Sequence, residues 1–232
     1  MRLTADRPYL DDVSGAPSGL PDRGQSGDFF SSAYSERPPW DIGEPQPAML
    51  ALLDAYPPVG PVLDVGCGTG DLALAIAGRG LHVLGLDLAP AAIEQACARA
   101  ASLAPETASL IEFHVGDALR PSLLGRQFGA VVDSGFFHLF GPLERDSFAR
   151  ELAAVLVDGG RYYLLGFACD SPIPNAPRQV REDELRAPFS PERGWHVLAL
   201  HAASFVTRSA RGAVPAVAAC FERNHHDAST SH

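Results

Sequence analysis

The amino-acid sequence predicts an α/β fold: a seven-stranded, mostly parallel sheet with helices on both faces, closed by an antiparallel C-terminal hairpin. Three observations carry that expectation. A strand-length apolar run at 61–65 meets three glycines at alternate positions, Gly66, Gly68 and Gly70, and an alanine-rich helical segment follows. Apolar runs and amphipathic helices then alternate to about residue 167, the pattern of a parallel sheet covered on both sides. The last two extended segments, near 196–207 and 215–223, read as a closing hairpin.

Taken in order, residues 1–28 are rich in Pro, Gly, Asp and Ser without periodicity and are expected to be a disordered tail. Residues 29–47 set Phe29, Phe30, Tyr34 and Trp40 among prolines, a stiff arm that could either cover a pocket as a lid or simply pack on the domain. A single domain is expected over 48–223, with a second disordered tail at 224–232. Within it a short helix at 48–55 is closed by Pro57 and Pro58. Leu72, Ala75 and Ile76 mark one face of a helix ending at 78–80. A second strand, 81–86, ends in Asp87. Pro90 suits a first helical turn, and Ile93, Ala96, Cys97, Ala100 and Leu103 keep helical spacing after it. A third strand at 110–115 leads into Gly116, Asp117 and Ala118. A fourth at 128–132 leads into Asp133. Phe148, Leu152, Val155 and Leu156 form an amphipathic helix stopped by Asp158, Gly159 and Gly160, before a fifth strand at 161–167. A Pro-rich loop at 170–177 and a short polar helix at 182–187 precede the hairpin.

Twenty-eight acidic residues against eighteen basic ones give a formal charge of −10, the wrong sign for a partner built on phosphates. Nucleic acid is therefore not expected as the partner, and small neutral or cationic substrates stay open. Cys67, Cys97, Cys169 and Cys220 lack C-x-x-C spacing, so reduced, buried thiols are expected and a metal site is not. The early aspartates Asp6, Asp11 and Asp12, and the lack of an 18-residue apolar run, point away from a signal peptide or a membrane span and towards the cytoplasm.

The glycine turn needs backbone close to a ligand. A dinucleotide fingerprint would place a third glycine three residues after Gly68, but Asp71 stands there. An aspartate at a helix start repels a pyrophosphate and suits a cationic ligand, as the sulfonium and ammonium of S-adenosylmethionine are. A nicotinamide oxidoreductase would also need a catalytic Tyr/Lys pair, and this chain contains no lysine.

Together, residues 63–70 (Leu-Asp-Val-Gly-Cys-Gly-Thr-Gly), 85–87, 116–118, Asp133 and 158–160 resemble the ordered motif series of class I S-adenosylmethionine-dependent methyltransferases, over about 60–167. Residues 38–47, 132–138 and 180–186 further resemble actinobacterial small-molecule methyltransferases of the heterocyclic toxin methyltransferase type. The resemblance implies a Rossmann-like methyltransferase fold with S-adenosylmethionine as cofactor and S-adenosylhomocysteine as product. It implies metal-free methyl transfer to oxygen or nitrogen of a small aromatic or heteroaromatic metabolite of secondary metabolism. Methylation of a small thiol, or S-adenosylmethionine binding without turnover, are the alternatives; the state is monomer or homodimer. Asp87 would accept the ribose hydroxyls. Gly116, Asp117 and the Ala118 backbone would hold the adenine edge, with Leu88 on its ring. Asp64, Gly66, Cys67, Gly68 and Gly70 would surround the methionine end, Cys67 as spacing. Asp133 to His138 would lie where the methyl emerges, with His138 as general base or as a structural residue, and Asp133 as an alternative orienting group. Tyr34, Trp40 and Asp133 would also meet the cofactor, and Tyr34, Trp40, Phe136, Phe137 and Phe167 with His138 could line a flat apolar substrate site, Tyr34 and Trp40 as lid residues, although several of these rings must be core.

Overall fold

The computed structural model describes residues 34, 37–168, 180–209 and 212–224. The expectations for 1–28, for the Pro-rich loop 170–177 and for 225–232 fall outside them, as do Phe29, Phe30 and Cys169. The strands are β1 (Val62–Val65), β2 (Val83–Asp87), β3 (Ile111–Val115), β4 (Phe128–Ser134), β5 (Leu156–Phe167), β6 (Trp195–Val206) and β7 (Ala213–Arg223). The helices are α1 (Pro47–Ala55), α2 (Asp71–Gly78), α3 (Pro90–Ala100), α4 (Pro105–Ala108), α5 (Pro142–Val155) and α6 (Glu182–Arg186). One sheet runs β3-β2-β1-β4-β5-β7-β6. β3 to β5 pair in parallel, while β7 is antiparallel to both β5 and β6. The fold is the Rossmann-like methyltransferase architecture expected.

Why the strands read as continuous apolar runs is visible in their burial. Every residue of β1 and β2 is buried because helices cover both faces, whereas edge strand β3 is only half-buried. Side chains alternate across the sheet, so neighbouring residues enter different layers. Tyr162 packs with Phe148, Leu152, Phe189 and Phe221 on one face. Tyr163 packs with Met49, Leu53, Ile76 and Cys220 on the other.

Three departures from the expected elements bear on the site. Strand β4 continues through Ser134, so Asp133 lies inside the strand and not after it. The helix read from Phe148 onwards starts at Pro142, where Glu144 accepts a hydrogen bond from Gly141 N at 2.9 Å. Asp158, Gly159 and Gly160 form an irregularity within β5: Phe128 pairs with Leu156, but Ala130 pairs with Arg161. Gly159 has φ 72°, which absorbs the extra residues. The short α4 and the 3-10 turn Phe137–Leu139 carry too little periodicity to be read from sequence.

Candidate functional site

The order β3-β2-β1-β4 reverses direction between β1 and β4, and a crevice opens outside the carboxyl ends of those strands. The glycine turn lies there. Gly68 has φ 52° and Gly70 φ 84°, and a side chain at either would collide, with the Tyr34 hydroxyl and with the Phe113 ring respectively. The lining brings together Tyr34, Trp40, Asp64, Gly66, Cys67 and Gly68 from the expected set, with Asp41, Gln46, Thr69, Ser134 and Phe205, which sequence reasoning did not assign.

Asp64 is 2% exposed and its Oδ2 has no hydrogen-bond partner. Burial, then the charges of Asp133 and Asp87, push its carboxyl well above the usual range. Such a group is costly unless a cation meets it. The ammonium of S-adenosylmethionine is such a cation, so the residues present fit that cofactor. Behind the turn, Asp87 Oδ2 accepts from Gly68 N at 2.8 Å and Oδ1 from Ala89 N at 2.9 Å. The carboxylate thereby holds the turn in the ligand-facing shape, and each oxygen keeps a lone pair for a hydroxyl. Burial raises its pKa against the pull of those amides.

Beyond Asp87, Gly116 N donates to Asp87 O at 2.9 Å, tying the β3 exit to β2. Asp117 Oδ1 accepts from Leu119 N at 2.9 Å, Leu88 is 45% exposed, and the Ala118 side chain is core, leaving its backbone for recognition. Cys67 is a buried free thiol pushed well up by burial.

Asp71 does not carry the discrimination assigned to it. Arg99 Nη2 pairs with its Oδ1, and Arg99 Nη1 donates to Thr69 O at 2.9 Å. That pair offsets the aspartate charge, whereas Asp64 Oδ2 has no partner. Thr69 Oγ1 in turn donates to Asp41 Oδ2 at 2.9 Å, linking the arm to the turn. The Trp40 indole donates to the Tyr34 hydroxyl at 3.4 Å, and that hydroxyl lies against Gly68.

The acceptor end differs more. Asp133 is fully buried, with Oδ1 accepting from Phe136 N at 2.8 Å and Oδ2 from Phe137 N at 3.0 Å and the Tyr162 hydroxyl at 2.8 Å. Burial moves it up to about 7 against these donors. Both of its oxygens are engaged in building the turn, an arrangement that does not favour the catalytic and cofactor-facing roles expected of it. His138 is 4% exposed, and its Nδ1 accepts from Phe167 N at 3.3 Å. The neutral ring therefore carries its proton on Nε2. Burial, then the Arg145 charge, lower its pKa to about 3. This arrangement favours the structural alternative over a general base.

Phe137 is entirely buried, with Arg145 5.1 Å above its ring, and is core instead of lining. Phe136 packs beneath Gly66 and edge-on to Phe140 at 4.7 Å. Phe167 stacks on His138 at 4.4 Å and meets Phe205 edge-on at 4.9 Å. Of these rings Phe205 lines the pocket, and Phe167 and His138 pack against it as an aromatic wall. Gly135, at φ 96°, lets the last two converge, since a Cβ there would lie 3.3 Å from both. Among the described residues no group of three or more His, Cys, Asp or Glu could hold a metal, and no helix is long and apolar enough to cross a membrane.

Comparison with known proteins agrees with this geometry. Residues 62–160 match the methyltransferase domain family. The chain is 35% identical over 169 residues to 2-heptyl-1-hydroxyquinolin-4(1H)-one methyltransferase of Mycobacteroides abscessus, covering 68% of this chain and 73% of that protein. It is 30% identical over 162 residues to probable thiol methyltransferase 2 of Arabidopsis thaliana, covering 68% and 70%. A structure solved for the conversion of a disulfide bond into a thioacetal group during echinomycin biosynthesis superposes with TM-score 0.74 at 31% identity, over 88% of this chain and 94% of that one. Magnesium protoporphyrin IX methyltransferase of Synechocystis PCC 6803 with bound S-adenosylmethionine shares the fold at TM-score 0.58 and 21% identity, over 85% and 79%. With its glycine turn braced by Asp87 and a buried Asp64 whose Oδ2 has no partner, this chain belongs to the S-adenosylmethionine-dependent methyltransferases.

Proposed function

We propose that this chain methylates oxygen or nitrogen of a small aromatic or heteroaromatic acceptor that supplies its own nucleophile in unprotonated form. The single observation behind this reading is the commitment of His138 Nδ1 to Phe167 N–H beside an aromatic wall. Rings can hold a flat acceptor, and His138 Nδ1 and both Asp133 oxygens are already bound to backbone amides instead of being free to deprotonate it. S-adenosylmethionine supplies an activated sulfonium methyl; the chain's own residues hold the two partners in line and exclude water. The mycobacterial relative is named for an N-hydroxyquinolone, whose N-hydroxyl ionises more readily than a simple phenol. A cytoplasmic setting in secondary metabolism belongs to the same reading.

A second reading, transfer to a small thiol, is favoured by the thiol methyltransferase relative. A thiol of pKa about 8.5 likewise ionises without help. Release of S-adenosylhomocysteine over N-hydroxyquinolones, phenols, azoles and thiols tests both. Turnover is expected to follow acceptor acidity, with phenols of pKa near 10 slow at pH 7. Turnover confined to thiols selects the second reading, and phenols as fast as N-hydroxyquinolones would refute self-ionisation.

A further inference from the structure

Gln46 stands at the N-terminal cap of α1 and is 5% exposed, yet its side chain makes no capping bond. The amide instead pairs with both backbone groups of Val206: Nε2 donates to Val206 O at 2.9 Å, and Oε1 accepts from Val206 N at 2.8 Å. Strand β6 is the sheet edge, so this side chain provides the pairing that another strand would. Two residues on, Arg208 N donates to Pro39 O at 2.8 Å and Arg208 Nη1 to Arg37 O at 3.1 Å. The arm and the end of β6 are therefore one unit. Phe205, next to Val206, is 3% exposed, lines the pocket beside Ser134, and stands edge-on to Phe167.

We propose that Phe205 is the ring that receives the acceptor, and that Gln46 is a positioning residue acting through it by holding the end of β6. This rests on the aromatic-acceptor reading above and deepens it. Edge and face contacts between rings depend on ring position, so an end of β6 free to fray would lose them without a change in composition. Both residues border the pocket, but the Gln46 amide is spent on the Val206 backbone while Phe205 offers its ring, which separates support from contact.

The test uses the full chain with S-adenosylmethionine and 2-heptyl-1-hydroxyquinolin-4(1H)-one. Phe205→Ala is expected to raise KM for the quinolone about tenfold or more, with KM for S-adenosylmethionine within about threefold. Gln46→Leu should move the same constant in the same direction, by less. Gln46→Glu supplies a signature that general destabilisation would not. A protonated carboxyl can both donate to Val206 O and accept from Val206 N, so its quinolone KM should lie near wild type at low pH and rise as the proton is lost, relative to wild type at each pH.

Quinolone KM unmoved by Phe205→Ala, or both Gln46 variants raising the two KM values equally with a lower Tm, would overturn the proposal. Calorimetry of the quinolone with the S-adenosylhomocysteine-loaded protein separates the two layers. Binding that depends on Phe205, with no methyl transferred, sinks the transfer reading and retains ring reception. Transfer with affinity independent of Phe205 sinks ring reception alone.

Discussion

Two buried side chains, Asp87 and His138, show how burial sets chemistry at the scale of single residues. Asp87 satisfies two backbone amides of different segments, so Asp87→Ala orphans both the Gly68 and Ala89 N–H groups and loosens the glycine turn. Each lost charged hydrogen bond is worth about 1.5–3 kcal/mol, so the Kd for S-adenosylhomocysteine should rise at least about tenfold by calorimetry. His138 has a pKa lowered to about 3, below its ordinary 6.5. Its contribution to stability is thus full above pH 6.5 and is lost as pH falls from there towards 3, because the unfolded chain takes up the proton first. Replacing it by Gln should flatten the rise of Tm with pH between 4 and 6.5, a difference of about 1 kcal/mol or more across that window by thermal melts. Equal slopes for both proteins would refute a neutral buried ring.

At the scale of elements, the arm before α1 is fastened twice: to the glycine turn through Asp41 and Thr69, and to β6 through Gln46 and Pro39. Asp41 itself is held by Arg37 at 3.0 Å and by Gly43 N at 3.0 Å. Thr69→Val removes the fastening hydroxyl with little change in shape. A bond of about 1–2 kcal/mol lost there should speed release of S-adenosylhomocysteine about 5- to 30-fold in stopped flow, with Tm nearly kept. The irregularity at 158–160 belongs to this scale as well. Gly129 beside it has no room for a Cβ, which would lie 2.3 Å from Val59 O, so Gly129→Ala should lower stability by about 2 kcal/mol or more in urea titration.

At the scale of the whole molecule, one sheet serves two apolar layers, the first centred on Phe148 and Tyr162 and the second on Met49 and Tyr163. Cavities in either should therefore lower a single transition. Phe148→Ala and Met49→Ala are expected to cost about 3–5 and 2–5 kcal/mol, adding in the double variant because the sites share no partner. Two resolved transitions would contradict one cooperative sheet. By itself the sequence determined the strand order's raw material, the glycine turn and the acids Asp64 and Asp87. Those features rest on local periodicity, on backbone freedom at glycine and on fixed offsets from a strand end, all of which are written within a few residues. Only the tertiary structure decided which rings face a ligand, that Asp71 is paired by Arg99, that Asp133 and His138 are bound by backbone amides, and that Gln46 and Phe205 join the site. Each of those depends on a partner some 30 to 160 residues away or on the local turn that packing stabilises, and neither leaves a period in the chain.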